Sequence, residues 1–266
     1  MGLSAARGQK RRSSMVAEHL KNALITRLIA FADDELILAH RNSEWVGHAP
    51  ILEEDIAIAN VAQDELGHAM LLYDMVEALG GQNGDRLAFF RDSAEFRNVQ
   101  LVELPKGDWA FTILRQYLFD AYQYVLYAEL VNSTFQPLAD AASKIRKEEL
   151  YHLRHTHAWV ERLGLGSAEA NRRMQAALDQ LWAYASQLFV ALPSDAQLVA
   201  AGMIPDVAQL RAGWEQIVLP HLAEAELVVE NSAENAPSSR TDHTLHLDQL
   251  LADMQLVARA DPNAIW

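Results

Sequence analysis

The chain has 266 residues, half of them hydrophobic, no cysteine and a formal net charge of −14. Without cysteine there is no disulfide, thiolate zinc site, iron–sulfur cluster or cysteine nucleophile, and that usage fits the reducing cytoplasm. The acidic balance argues against a nucleic-acid partner, which needs clustered Lys and Arg, and no run nears the ~20 apolar residues of a membrane span.

Arg7, Lys10, Arg11 and Arg12 precede the first acid, Glu18. The segment lacks the apolar stretch of a secretory signal, and Ala6 stands where myristoylation needs Ser or Thr. Residues 1–14 are therefore read as a disordered basic tail, and residues 15–266 as one helical domain. Helical periodicity begins near Met15, with Leu24, Leu28, Phe31, Glu35, Leu38, Asn42 and Trp45 on one stripe. Gly47-His48-Ala49-Pro50 ends that helix, because a residue before proline is pushed out of the α region. A second helix is expected over residues 51–79, with Ile51, Ile58, Val61, Glu65, His68, Leu72 and Val76 on its stripe. The glycine-rich stretch from Gly80 to Gly84 stops it.

Residues 85–108 have no clean period and read as a long connection. A third helix is expected over residues 109–132 (stripe Ile113, Tyr117, Asp120, Tyr124, Tyr127, Val131). A fourth follows over residues 139–163 (stripe Ile145, Glu149, His152, Thr156, Trp159, Leu163), closed by Gly164 and Gly166 as C-cap residues. Further helices are expected near residues 168–192, 206–229 and 247–259, with a loop over 231–242. Hairpin, long crossover, hairpin is the connectivity of an all-α, ferritin-like four-helix bundle, here with additional C-terminal helices.

Each of the four stripes is interrupted at mid-helix by an acid: Glu35, Glu65, Asp120 and Glu149. Burying one uncompensated carboxylate costs several kcal/mol, so four converging in one bundle call for a cation. Glu65-Leu66-Gly67-His68 and Glu149-Leu150-Tyr151-His152 are both Glu-x-x-His, which puts both side chains on one helix face. One carboxylate from each of two helices and one Glu-x-x-His from each of the others is the donor set of dimetal carboxylate bundles. The expected metal ligands are thus Glu35, Glu65, His68, Asp120, Glu149 and His152, around two iron ions or, alternatively, manganese. A network of buried ion pairs and satisfied histidines is the competing explanation. Two Glu-x-x-His copies on separate apolar stripes weigh against it. Glu129 rivals Asp120 on the third helix but falls on a different face.

The remaining candidates receive structural readings. His155 is at best an outer neighbour of the centre, and His157 points elsewhere. His48, His243 and His246 belong to the surface or to caps. Arg41, Arg115 and Arg154 pair with nearby acids, and Tyr117, Tyr124, Tyr127 and Trp159 belong to the core. No glycine-rich dinucleotide fingerprint is present, so no flavin or nicotinamide is expected on this chain, and electrons would come from a separate reductase. Leu72 stands one turn after His68 where a radical-generating protein would carry Tyr, and Tyr73 lies off the stripe.

The segments Ala62-Gln63-Asp64-Glu65-Leu66-Gly67-His68 and Lys147-Glu148-Glu149-Leu150-Tyr151-His152 resemble motifs of the ring-hydroxylating phenylacetyl-CoA epoxidase family of bacterial phenylacetate breakdown. These two are most like its catalytic A-type members. The rest is more similar to the C-type members, through Ser43-Glu44-Trp45-Val46-Gly47-His48-Ala49-Pro50, Phe90-Arg91-Asp92, Arg115-Gln116-Tyr117, Trp159-Val160-Glu161-Arg162-Leu163 and Trp266. The resemblance implies a ferritin-like fold and a cytoplasmic multicomponent monooxygenase that epoxidises the ring of an acyl-CoA substrate. It also implies that this C-type protein pairs with an A-type catalytic partner, and that a separate reductase serves both. C-type members of that family are structural partners whose ligands are largely degraded. Here all six positions match the catalytic ligand set, which leaves three expectations: an occupied site in a C-type protein, a non-catalytic scaffold for the A-type partner, and a ferroxidase-like dimetal protein. The long extension after Gly166 disfavours the last.

Overall fold

The computed structural model describes residues 16–230 and 238–264. The basic tail expected over residues 1–14 lies outside them, as do Met15, Trp266 and positions 231–237 of the expected loop. Among the described residues there are helices and turns but no strand.

Four long helices build the bundle: α1 (Glu18–Ser43), α2 (Leu52–Ala78), α5 (Trp109–Leu130) and α6 (Gln136–Gly164). The crossover between the two hairpins holds α3 (Gly84–Phe89), a 3-10 turn (Ser93–Glu95) and α4 (Gln100–Glu103). Residues 85–108 form the long connection expected between the hairpins, with short helices inside it. Its helices span only six and four residues, too few turns to leave a periodic signal. Beyond the bundle come α7 (Ala168–Ala185), a 3-10 turn (Ser186–Phe189), α8 (Asp195–Ala200), α9 (Val207–Glu224), α10 (Leu245–Met254) and α11 (Leu256–Ala260). The short α8 leaves no periodic signal either, for the same reason.

Local chemistry sets the helix ends. Gly47 turns the chain at φ +82°, and its N–H donates to Asp55 Oδ1 of the following helix (2.7 Å). Glu53, Glu54 and Asp55 place negative charge at the positive end of the α2 dipole. Asp108 caps α5 by accepting from the Phe111 N–H (3.0 Å). α6 starts three residues earlier than its stripe suggests because Pro137 sits in its first turn, where the missing N–H costs nothing.

α1 packs along α2, α5 along α6, and α2 against α6, while α7 and α9 lie against the α5–α6 hairpin. The core includes Leu24, Leu28, Leu38, Leu72, Ile113, Leu114, Leu118 and Ile145, all essentially inaccessible to solvent. Two of three consecutive acids on α1 are committed to buried ion pairs outside the bundle centre. Asp33 accepts from Arg91 and from the Tyr73 hydroxyl (2.5 Å each), and Asp34 accepts from Arg240 (2.8 Å). Only the third, Glu35, turns inward. Tyr73 is thereby directed away from the centre, in line with its position off the stripe.

Candidate metal centre

The four bundle helices bring all six expected ligands into the interior, where every one is buried. Two sets of donor atoms converge. Glu35, His68 and Glu149 form one; Asp120, Glu149 and His152 form the other; within each set the atoms lie within 4.8 Å of one another. Glu149 is common to both. Its Oε1 stands between the two imidazoles, 3.4 Å from His68 Nδ1 and 3.7 Å from His152 Nδ1. Glu35 Oε2 is 3.5 Å from His68 Nδ1. Asp120 occupies the third-helix position; Glu129 is half-buried and belongs to neither set.

Glu65 is placed differently. Both its oxygens already accept side-chain amide hydrogens, Oε2 from Asn42 (2.8 Å) and Oε1 from Gln116 (2.7 Å). It lies inside the bundle but outside the two converging sets.

The outer nitrogens of the histidines are anchored across the α2–α6 interface. His68 Nε2 meets Glu148 Oε2 at 2.9 Å, and His152 Nε2 meets Asp64 Oδ2 at 3.1 Å. Each helix thus carries an acid pair, Asp64-Glu65 or Glu148-Glu149, whose first member holds the histidine of the opposite helix. A carboxylate on Nε2 keeps a proton there, so that the neutral ring a metal requires would turn Nδ1 inward as its lone pair, the usual orientation device for metal-binding imidazoles.

Four atoms test whether these residues fit a metal. His68 Nδ1, His152 Nδ1, Glu35 Oε2 and Glu149 Oε2 are buried without a hydrogen-bond partner. Buried polar atoms are almost always satisfied, so four orphans of ligand type, all among the converging residues, fit cations. The electrostatics agree. Burial pushes the Glu35 and Glu65 carboxyls up, and that of Asp120 to about 7. At His68 burial disfavours the charged ring, but Glu35 and Glu149 outweigh it and hold the group at about 9. At His152 burial is outweighed by Asp64 and Glu149, and the group sits at about 12. All five groups are displaced toward keeping a proton, the response of a pocket with surplus negative charge.

Several residues around the centre escape a reading of the sequence. Gln123 Nε2 and the Tyr127 hydroxyl both donate to Glu35 Oε1, at 2.5 and 3.0 Å, so Tyr127 is more than a core aromatic. Thr156 donates to Asp120 Oδ2 at 2.8 Å and Gln116 to Asp120 Oδ1 at 2.6 Å. The signal for Asn42, Gln116 and Gln123 is their polarity on otherwise apolar helix faces; for Asp64 and Glu148 it is their place directly before the motif acids.

The other candidates are now located. His155 Nε2 pairs with Glu54 Oε2 at 2.9 Å, and His157 stacks on His221 with ring centroids 3.3 Å apart. His48 is exposed, as expected. His243 is half-buried and bridges Glu103 Oε2 (3.0 Å) and the Phe96 carbonyl (3.1 Å). Arg41 pairs with Glu44 at 2.6 Å. Arg115 is corrected, since it is fully buried and donates to the Leu104 carbonyl (2.8 Å) rather than to an acid.

Residues 9–266 match the family model described as phenylacetic acid catabolic protein. The chain belongs to this family. Within the phenylacetic acid catabolic family it is 39% identical to the C subunit of 1,2-phenylacetyl-CoA epoxidase from Escherichia coli K12, over 92% of this chain and 100% of that protein. It is 27% identical to the A subunit of the same enzyme from the same organism, over 64% of this chain and 54% of that protein. The chain is therefore related to both, and at full length to the C type. No described helix is long and apolar enough to cross a membrane.

Proposed function

We propose that this chain is the C-type member of a phenylacetyl-CoA epoxidase assembly and that its bundle core holds two divalent metal ions, iron or alternatively manganese. The observation that carries the reading is the set of four unpartnered inward donor atoms, in a chain alignable with the whole length of the C-type relative. Glu149 would lie between the two metal positions, with Glu35 and His68 serving one and Asp120 and His152 the other. Glu65 would join only by giving up its bonds from Asn42 and Gln116. When bound, a pair of iron ions supplies redox chemistry toward dioxygen. The protein's own part is to fix both Nδ1 lone pairs through Glu148 and Asp64, to hold Glu35 through Gln123 and Tyr127, and to keep water out by burial.

The partners that go with this reading are an A-type catalytic protein, a separate reductase and an acyl-CoA substrate, all in the cytoplasm. A second reading, a scaffold with inherited ligands, is favoured by one observation: the amides of Asn42 and Gln116 already satisfy Glu65 without any ion. Reconstitution tests the assignment. The cognate A-type protein and its reductase are assayed for phenylacetyl-CoA-dependent oxygen uptake with and without this chain. The expected result is uptake that requires the chain; equal uptake in its absence contradicts the assignment.

A further inference from the structure

A second group of ligand-type side chains lies apart from the bundle centre, where α9 rests on the α5–α6 hairpin. His221 of α9 stacks on His157 of α6 with ring centroids 3.3 Å apart and planes inclined by 16°. Tyr117 of α5 closes the group, its ring centroid 4.9 Å from that of His221 and 6.3 Å from that of His157. His221 and Tyr117 are buried, while His157 is half-buried and opens the group to solvent. Stacking satisfies the faces of the rings, not their edges. Neither nitrogen of His221 nor the Tyr117 hydroxyl has a side-chain hydrogen-bond partner. Three such atoms in one small cluster stand out against the near-universal pairing of buried polar groups. A core that needed only shape would carry Phe or Leu at these positions.

Charge and donor type narrow what fits there. Burial, and after it His157, hold the His221 pKa down at about 4, so near pH 7 the ring is neutral and keeps a lone pair in its plane. Among the described residues, the charged side chain that acts on Tyr117 is Glu224. It lies three residues beyond His221, on the same side of α9. No Lys or Arg of the described residues acts on His221 or Tyr117, so no side-chain cation opposes an incoming one. Neutral imidazoles joined by oxygen donors suit zinc and copper, whereas calcium and magnesium take oxygen ligands. We propose that His157, His221 and Glu224, with the Tyr117 oxygen beside them, form a second metal site for one divalent ion of the zinc and copper class. Glu224 is exposed and turns inward to complete the set. Among the described residues, three His, Asp or Glu donor atoms already within 4.8 Å of one another occur in the bundle centre alone. The ion pins α9, and with it the C-terminal extension, to the hairpin that carries Asp120, Glu149 and His152.

Zinc is the probe. The full chain is stripped with a chelator, titrated with zinc and desalted. Bound zinc is then counted for wild type and Glu149→Ala, each alone and combined with His157→Phe or His221→Phe. Phe keeps a ring in the stack, and circular dichroism checks that every variant is folded. Glu149→Ala is expected to retain about one zinc per chain. Either histidine substitution should weaken that ion by more than the roughly 100-fold that loss of a supporting contact costs. Zinc should raise the melting temperature of Glu149→Ala but not that of Glu149→Ala/His221→Phe. In the wild-type background His221→Phe should lower the count by one, a reading that leaves the bundle centre unaltered. The exposed His48→Ala is the control and should keep the wild-type count. A folded Glu149→Ala chain that binds no zinc, or one whose zinc survives both histidine changes, would overturn the site and assign the cluster to enclosed water. Neither result bears on the C-type assignment or on the two-ion centre.

Discussion

Glu149 is the residue on which the centre turns, because both histidines point their inner nitrogen at the same one of its oxygens. The outer nitrogens rest on Asp64 and Glu148, side chains that touch no inward donor but set which nitrogen carries the proton. Removing the charge without changing the shape, as in Asp64→Asn or Glu148→Gln, is expected to lower metal affinity by about 10–100-fold with the fold intact. Competition with a metal chelator, read against circular dichroism, checks both halves. A different imidazole shows the opposite device. His221 stacks on His157 with neither ring nitrogen hydrogen-bonded to a side chain, and burial, helped by His157, pushes its pKa down to about 4. A histidine depressed in the folded state contributes stability above its unfolded value of about 6.5 and loses it as pH falls through the folded value. The melting temperature of the wild type should therefore drop between about pH 6.5 and 4 more steeply than that of His221→Phe. Parallel curves would show that His221 does not titrate with folding.

Among the elements, the four bundle helices are readable because each carries five or more turns of stripe, and a period needs that length to stand out. The same stripes expose Glu35, Glu65, Asp120 and Glu149 as charges where apolar residues belong. What stays hidden has no period to betray it. α3, α4 and α8 are shorter than two turns, and the commitments of Asp33 to Arg91 and Asp34 to Arg240 join residues 58 and 206 positions apart. Glu65 looks the equal of Glu149 because spacing cannot tell that two amides, on α1 and α5, reach it first. Gly164 reads as a helix-stopping residue, and it does end α6. Its close constraint is steric, however: a Cβ there would collide with the backbone carbonyl of Ala225, just beyond α9. Gly164→Ala is accordingly expected to cost about 1–3 kcal/mol by overpacking, measured by urea unfolding. Gly67→Ala, where a Cβ meets nothing nearby, should stabilise α2 or leave it unchanged. Equal effects at the two positions would show that the Ala225 contact yields without cost.

At the scale of the whole molecule, the extra helices are spent on one side. α7 and α9 back the α5–α6 hairpin, while α1 and α2 carry ligands inward and an uncovered apolar row outward. Buried arginine–carboxylate pairs fasten the periphery to α1: Arg27 to Asp195 at the start of α8, Arg91 to Asp33 in the crossover, and Arg240 to Asp34 before α10. Arg240→Ala strands Asp34 without its cation in a fully buried setting. It is expected to cost about 3–5 kcal/mol, visible as a lowered urea midpoint. All of this framing holds four acids and two histidines in one small volume, where cations would balance them. The most direct measurement is elemental analysis of iron and manganese on the purified chain, after anaerobic incubation with ferrous iron and desalting, beside a Glu149→Ala variant. About two ions per wild-type chain are expected, nearly all of them lost in the variant. A wild-type chain that retains no more metal than the variant would contradict it.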